Sequence, residues 1–135
     1  MDDRALLARV IEIVGRECCL DDCAVFPLED GYLVATTDML HRTTDFPQGM
    51  TDWQIGWMSI AVSLSDIASM GAEPSILLLA IGLDREDRIQ GILNGAKTCC
   101  TTFGAKLAGG DLDNHPELTL VSSGFGLVKG DNRLV

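Results

Sequence analysis

The stretch from Leu118 to Val128 constrains this chain more than any other. Read with the two-residue period of a strand, it sets Leu118, Leu120, Ser122, Gly124, Gly126 and Val128 on one side, and Thr119, Val121, Ser123, Phe125 and Leu127 on the other. Neither side is plainly made for water. Such a strand belongs in a sheet buried on both faces, and Gly124 and Gly126 mark bulge or close-packing positions.

The rest of the chain supplies one cover. Leu6, Leu7, Val10, Ile11 and Val14 recur at helical spacing and stop at Gly15. Ala24–Leu28 and Tyr32–Thr37 read as strands joined by the turn Glu29-Asp30-Gly31, so that Thr36-Thr37-Asp38 falls at the end of the second. A helix is predicted from Thr51 to Met70, with an N-cap at Thr51 or Asp52 and a stop at Gly71-Ala72-Glu73-Pro74. Ser75–Leu83 is an apolar strand. Asp84 can cap a helix whose stripe is Ile89, Ile92, Leu93, Ala96, Cys99 and Phe103, ending at Gly104. A short strand, Ala105–Ala108, leads into Gly109-Gly110-Asp111. The order predicts an α+β, or mixed α/β, fold in which helices cover one face of a sheet. Self-association through the sheet would cover the other.

With 135 residues the chain supports one core, so residues 1–135 are expected to form a single domain. The apolar residues come in short blocks, far from the run of about 20 needed to cross a bilayer. The opening Met1-Asp2-Asp3-Arg4 puts acid where a signal peptide needs base, and a cytoplasmic location without membrane association is expected. The net charge of −10 comes from 14 Asp and 6 Glu against 10 Lys and Arg, a balance that disfavours a nucleic-acid partner and suits the capture of divalent cations. Five cysteines, Cys18, Cys19, Cys23, Cys99 and Cys100, lack zinc-site spacing and read as reduced thiols; Cys99 lies on an apolar helix face as a small buried hydrophobe.

The aspartates carry the chemistry. Asp21-Asp22 precedes the first strand, Asp38 ends the second, Asp66 lies in the long helix and Asp111 follows two glycines. At about 100° per residue, Trp53, Trp57, Ile60, Leu64, Ile67 and Ala68 form an apolar face, with Ser59, Ser63, Asp66 and Met70 in a stripe beside it. Magnesium takes a few carboxylates together with waters and substrate phosphates, which dispersed aspartates can provide. Gly109-Gly110 allows close approach of a nucleotide. No P-loop is present, and His41 and His115, both in expected loops, form no Ser-His-Asp constellation.

The runs Leu20-Asp21-Asp22-Cys23-Ala24-Val25, Ala35-Thr36-Thr37-Asp38-Met39, Ser65-Asp66-Ile67-Ala68-Ser69-Met70-Gly71-Ala72-Glu73-Pro74 and Gly109-Gly110-Asp111 resemble those of thiamine-monophosphate kinases. The order and spacing agree along nearly the whole chain. The resemblance implies the N-terminal fold shared with aminoimidazole ribonucleotide synthetase, with sheets pairing across a homodimer. It implies transfer of the γ-phosphate of ATP to thiamine monophosphate at a Mg²⁺ centre. Asp22, Thr36, Thr37, Asp38, Asp66 and Asp111 fall on metal positions, and Gly110 and Asp111 on a nucleotide contact. Asp45 stands where many such enzymes carry a substrate-contacting His. Leu20, Ser63 and Leu112 replace a Gly, an Asn and a Thr often found there. Such kinases continue into a second domain, so the segment ending Arg133-Leu134-Val135 reads as the truncation of a larger protein. The other readings are a non-catalytic dimerisation or nucleotide-binding module, and a phosphotransferase with another small substrate.

Overall fold

The computed structural model describes residues 2–16 and 22–130. Cys18, Cys19, Leu20, Asp21 and the segment Arg133-Leu134-Val135 lie outside the described residues. Helix α1 (Asp3–Val14) is followed by strands β1 (Ala24–Leu28) and β2 (Gly31–His41), the short helix α2 (Arg42–Asp45) and the long helix α3 (Asp52–Ser69). Strand β3 (Glu73–Leu83) leads through a 3₁₀ turn (Glu86–Arg88) into α4 (Ile89–Thr102), then β4 (Lys106–Asn114) and β5 (Thr119–Lys129). The strands form one sheet in the order β1-β2-β5-β3-β4. Neighbours are antiparallel except β3 and β4, which run parallel with α4 as their crossover.

Two strands outrun their sequence signals. Beyond Thr37, β2 continues because Asp38, Met39, Leu40 and His41 pair with Ser122, Val121, Leu120 and Thr119. The expected short strand at Ala105–Ala108 instead runs on to Asn114, held extended by pairing with β3 up to Leu83. Asp38 and Asp111 are therefore inside strands, which corrects the picture of aspartates placed at element ends. Long pairing partners, invisible in the local pattern, keep the backbone extended past the turn-like residues.

A reciprocal capping box starts α3: Thr51 Oγ1 accepts from the Gln54 N–H at 3.1 Å and Gln54 Oε1 accepts from the Thr51 N–H at 2.9 Å. The helix stops at Gly71, whose φ of 69° suits glycine. Its buried side is Ile55, Gly56, Ser59, Ile60, Ser63, Leu64 and Ile67. This rotates the face expected around Trp53 and Ala68, both of which are exposed. Small serines let the helix lie close to the sheet where a tryptophan would hold it off, and the Ser59 hydroxyl is satisfied by Ile55 O at 2.8 Å. From the sheet side, Gly124 and Gly126 make room for Ile67: a Cβ at either would come within 2.8 or 2.6 Å of that side chain.

Helices α3 and α4 cross through a pair of glycines. A Cβ on Gly56 would lie 1.9 Å from Ile92 O, and one on Gly95 the same distance from Trp53 O. The main core lies between this helix pair and the sheet, with Ile55, Ile60, Leu77, Ile92, Leu118 and Leu120 fully buried. Cys99 and Cys100 are buried free thiols in it, pushed up to about 11 chiefly by burial. Asp84 does not cap α4, because the 3₁₀ turn intervenes. It binds Arg88 at 3.0 Å, and Arg88 also reaches Asp52 at 2.9 Å, joining β3 to the start of α3.

As expected, helices cover one sheet face, here α3 and α4. The other shows Phe26, Met39, Ile76 and Leu127 to solvent, with Val121 and Phe125 half-buried between them. Helix α1 buries none of its residues. Among the described residues no helix is long and apolar enough to cross a membrane.

Candidate functional site

Strand β2 passes beneath the C-terminal half of α3, and strand alternation turns Thr36 and Asp38 toward the helix. On α3, Ser63 and Asp66 are three residues apart and share the side facing that strand. Thr36 Oγ1 donates to Asp66 Oδ2 at 3.2 Å and Ser63 Oγ donates to Asp38 Oδ2 at 2.8 Å. These two bonds bring the carboxyl groups of Asp38 and Asp66 close enough to act on one another. Asp22 joins from the approach to β1, where its Oδ2 lies 3.0 Å from Ser69 Oγ, a hydroxyl that is also 2.6 Å from Asp66 O.

Burial pushes the Asp66 carboxyl above the usual carboxylate range, the Asp38 charge and hydrogen bond push it further, and Asp22 adds to this while the Thr36 hydroxyl opposes it. The neighbouring carboxyl makes the charged form of Asp66 costly, a cost that a bound cation would relieve. Cys23 lies against them, its thiol pushed up to about 11 by burial first and then by Asp66, so it is a packed neutral group rather than a thiolate.

Among the described residues no three side chains of His, Cys, Asp and Glu converge into a ready-made metal cage. The donors that do meet, Asp38, Asp66 and Thr36 with Asp22 beside them, are all oxygen. That set fits Mg²⁺, which takes one or two carboxylates and completes its shell with water and phosphate oxygens.

The other expected residues stand apart. Thr37 is turned to the opposite sheet face, its hydroxyl 3.1 Å from Ser123 Oγ. Gly110 lies on the same cross-strand row as Asp38, through Ser122 and Leu79. Three strand spacings, about 14 Å, separate them. At Gly110 φ is 156° and a Cβ would sit 1.8 Å from Leu79 O, so only glycine fits there. Gly110 and Asp111 border a cleft of about 500 Å³ whose floor is Leu79, Ile81, Ile89, Leu93 and Leu107. It lies beside the outer edge of β4, where no strand pairs among the described residues. Asp45, the last residue of α2, turns back on its own chain: Oδ2 accepts from the His41 N–H at 2.6 Å and from Thr44 Oγ1 at 3.1 Å. The His41 N–H, first among several causes, holds its carboxyl below the usual range. His41 closes β2 instead of lying in a loop, and His115 bonds Glu117 O through Nδ1 at 2.7 Å. Sequence reasoning missed Ser69 and Ser122 as partners of the cluster. Ser122 carried a signal, being the one hydroxyl in the row of leucines and glycines on β5.

Residues 20–128 match the family described as AIR synthase related protein, N-terminal domain. The chain belongs to this family. The chain is 58% identical over 129 residues to the thiamine-monophosphate kinase of Methanospirillum hungatei, covering 96% of this chain and 45% of that protein. The thiamine-monophosphate kinase of Halobacterium salinarum is 41% identical over 128 residues, covering 93% of the chain and 42% of the relative. The chain thus spans less than half the length of these relatives. The fold also matches the structure of AaThiL complexed with AMPPCP and TMP, with a TM-score of 0.88 at 20% identity over 94% of this chain and 42% of that one. The mixed α/β sheet is therefore the AIR synthase-like N-terminal fold, as the sequence implied.

Proposed function

We propose that this chain is the metal- and nucleotide-binding part of a thiamine-monophosphate kinase, which transfers the γ-phosphate of ATP to thiamine monophosphate to give thiamine diphosphate and ADP. The observation that carries the reading is the meeting of Asp38 and Asp66 across the β2–α3 contact, in a chain 58% identical to a kinase of that name. Asp38 and Asp66, with Asp22, hold divalent cation and so draw the polyphosphate over β2. Thr36 fixes the angle of the Asp66 carboxylate. Gly110 lets the nucleotide approach the β4 backbone, the apolar cleft beside it takes the base, and Asp111 meets the phosphates from the far side. Bound Mg²⁺ supplies neutralisation of charge across the phosphate oxygens, on which phosphoryl transfer mainly depends. Asp45 faces the thiamine phosphate, and to do so its carboxylate must leave the His41 N–H.

A second domain of comparable size completes the site in this reading, and the open sheet face pairs with that of another copy in a homodimer. The packed neutral thiols agree with a cytoplasmic protein. Calorimetric titration of AMPPCP into the chain with and without Mg²⁺ tests the core of the proposal. Binding should require Mg²⁺ and fall at least about tenfold in an Asp38→Asn, Asp66→Asn double variant. Binding that ignores both the metal and the variant would overturn it. In a protein of the relatives' full length, ATP turnover that does not respond to thiamine monophosphate would point to another phosphate acceptor.

A further inference from the structure

We infer that Ser122 and Ser63 form a directed hydroxyl relay that positions the Asp38 carboxylate for cation binding. The inference rests on the cation reading of the Asp38–Asp66 cluster given above.

Both serines are fully buried, one on β5 and one on α3, and their hydroxyls are hydrogen-bonded to each other. Proton accounting gives the relay its direction. A serine hydroxyl has one proton to donate, whereas an ionised carboxylate can only accept. Ser63 is 2.8 Å from Asp38 Oδ2 and 3.5 Å from the Ser122 carbonyl, so its proton goes to Asp38. Ser122 must then donate to the oxygen of Ser63. The sequence of bonds runs from Ser122 through Ser63 to Asp38, and it engages Oδ2 of the carboxylate and leaves the other oxygen outside the relay.

The arrangement is costly unless it does something. Burying two hydroxyls between a helix and the centre of a sheet requires each to be satisfied, and an apolar pair of similar size would fill the space without that demand. Ser122 and Asp38 are also direct register partners on β5 and β2, so the relay spans the β2–β5 ladder and the overlying helix at one level. Without the Ser122 hydroxyl, Ser63 can rotate toward the Ser122 carbonyl and withdraw its proton from Asp38. Ser122 touches neither cation nor nucleotide in this account; it is a positioning residue acting through Ser63.

The test is Mn²⁺ binding to the chain, read from the electron paramagnetic resonance signal of the free ion, alongside melting curves. Ser122→Ala and Ser63→Ala should each weaken Mn²⁺ binding about tenfold, the lower end of what loss of an outer partner costs a metal site. Ser122→Thr, which keeps the hydroxyl, should restore binding even where its extra methyl lowers the melting temperature. That recovery separates positioning from packing. If Asp38→Asn loses Mn²⁺ while both alanine variants bind like the parent chain, the relay is overturned and the cluster stands. Failure of Ser122→Thr to recover binding while its fold is intact also overturns it. If the parent chain takes up no Mn²⁺, the cation reading falls and the relay with it.

Discussion

Asp66 makes its contacts at the cost of repulsion from Asp38. The folded chain holds the Asp66 proton more tightly than the unfolded chain does, so this group's contribution falls as pH rises from the ordinary carboxylate range through the raised value. The metal-free chain should therefore gain stability from Asp66→Asn at neutral pH, with melting raised by about 1–3 °C and the difference vanishing toward pH about 4. Melting scans across pH without divalent ions check this; Mg²⁺ should reverse the order, because the parent gains a ligand the variant cannot hold. Glu117 has the opposite sign. The Thr43 hydroxyl and N–H hold its carboxyl below the usual range, so that clasp is intact at neutral pH and opens as pH falls through its lowered value. The aspartates themselves were legible as a set, because their residue type and the runs around them are local facts. That Asp38 touches Asp66 was not, since the contact depends on which strand passes beneath which turn of α3. Ser122 was visible only as a small polar residue in an alternating strand, and its role emerges from a register 84 residues away from Asp38 in sequence.

Among the elements, the crossing of α3 and α4 is the least forgiving contact. Gly95→Ala would drive a methyl into the backbone carbonyl of Trp53, so the helices must separate. Overpacking of this kind costs about 1–3 kcal/mol, readable as a lower urea midpoint with an unchanged slope. Arg88→Ala is expected to cost about 2 kcal/mol, less than the roughly 3–5 of a fully buried pair, because it strands Asp52 and Asp84 in a place only partly open to water. The same denaturation curve measures it, and Asp84→Asn should recover part of the loss in the Arg88→Ala background. The start and stop of α3 were readable from Thr51 and Gly71 because caps are short-range chemistry. The ends of β2 and β4 were not, because Asp38 and Gly109-Gly110-Asp111 look like turns until β5 and β3 pair with them. The rotation of α3 about its axis escaped for a related reason: hydrophobicity favours Trp53, but close packing on the glycines of β5 favours Ser59 and Ser63.

For the molecule as a whole, the open sheet face is the largest demand left over. Phe26, Met39, Ile76 and Leu127 are exposed on it, with Val121 and Phe125 between. Contiguous apolar surface of that sort marks an interaction site, and the proposed homodimer would use it. Met39→Glu changes a residue 62% exposed and should leave the single chain folded while weakening association by at least about tenfold. Sedimentation velocity over a concentration series reads this directly. A parent chain that sediments as a monomer throughout would remove the homodimer from the proposal while leaving the aspartate cluster untouched. The sheet order has one more consequence. Strand β5 comes last of the five described strands yet lies in the middle, between β2 and β3. The β1–β2 hairpin and the β3–α4–β4 crossover are made first, as two pieces with raw strand edges, and no strand pairs one with the other until residues Thr119–Lys129 slide between. Assembly of this sheet is thus deferred to β5 and depends on contacts distant in sequence, the condition under which folding is slow. Until β5 pairs, Asp38 lacks the Ser122 register that sets its level beneath α3, so the address of the carboxylate is written by a strand made long after it.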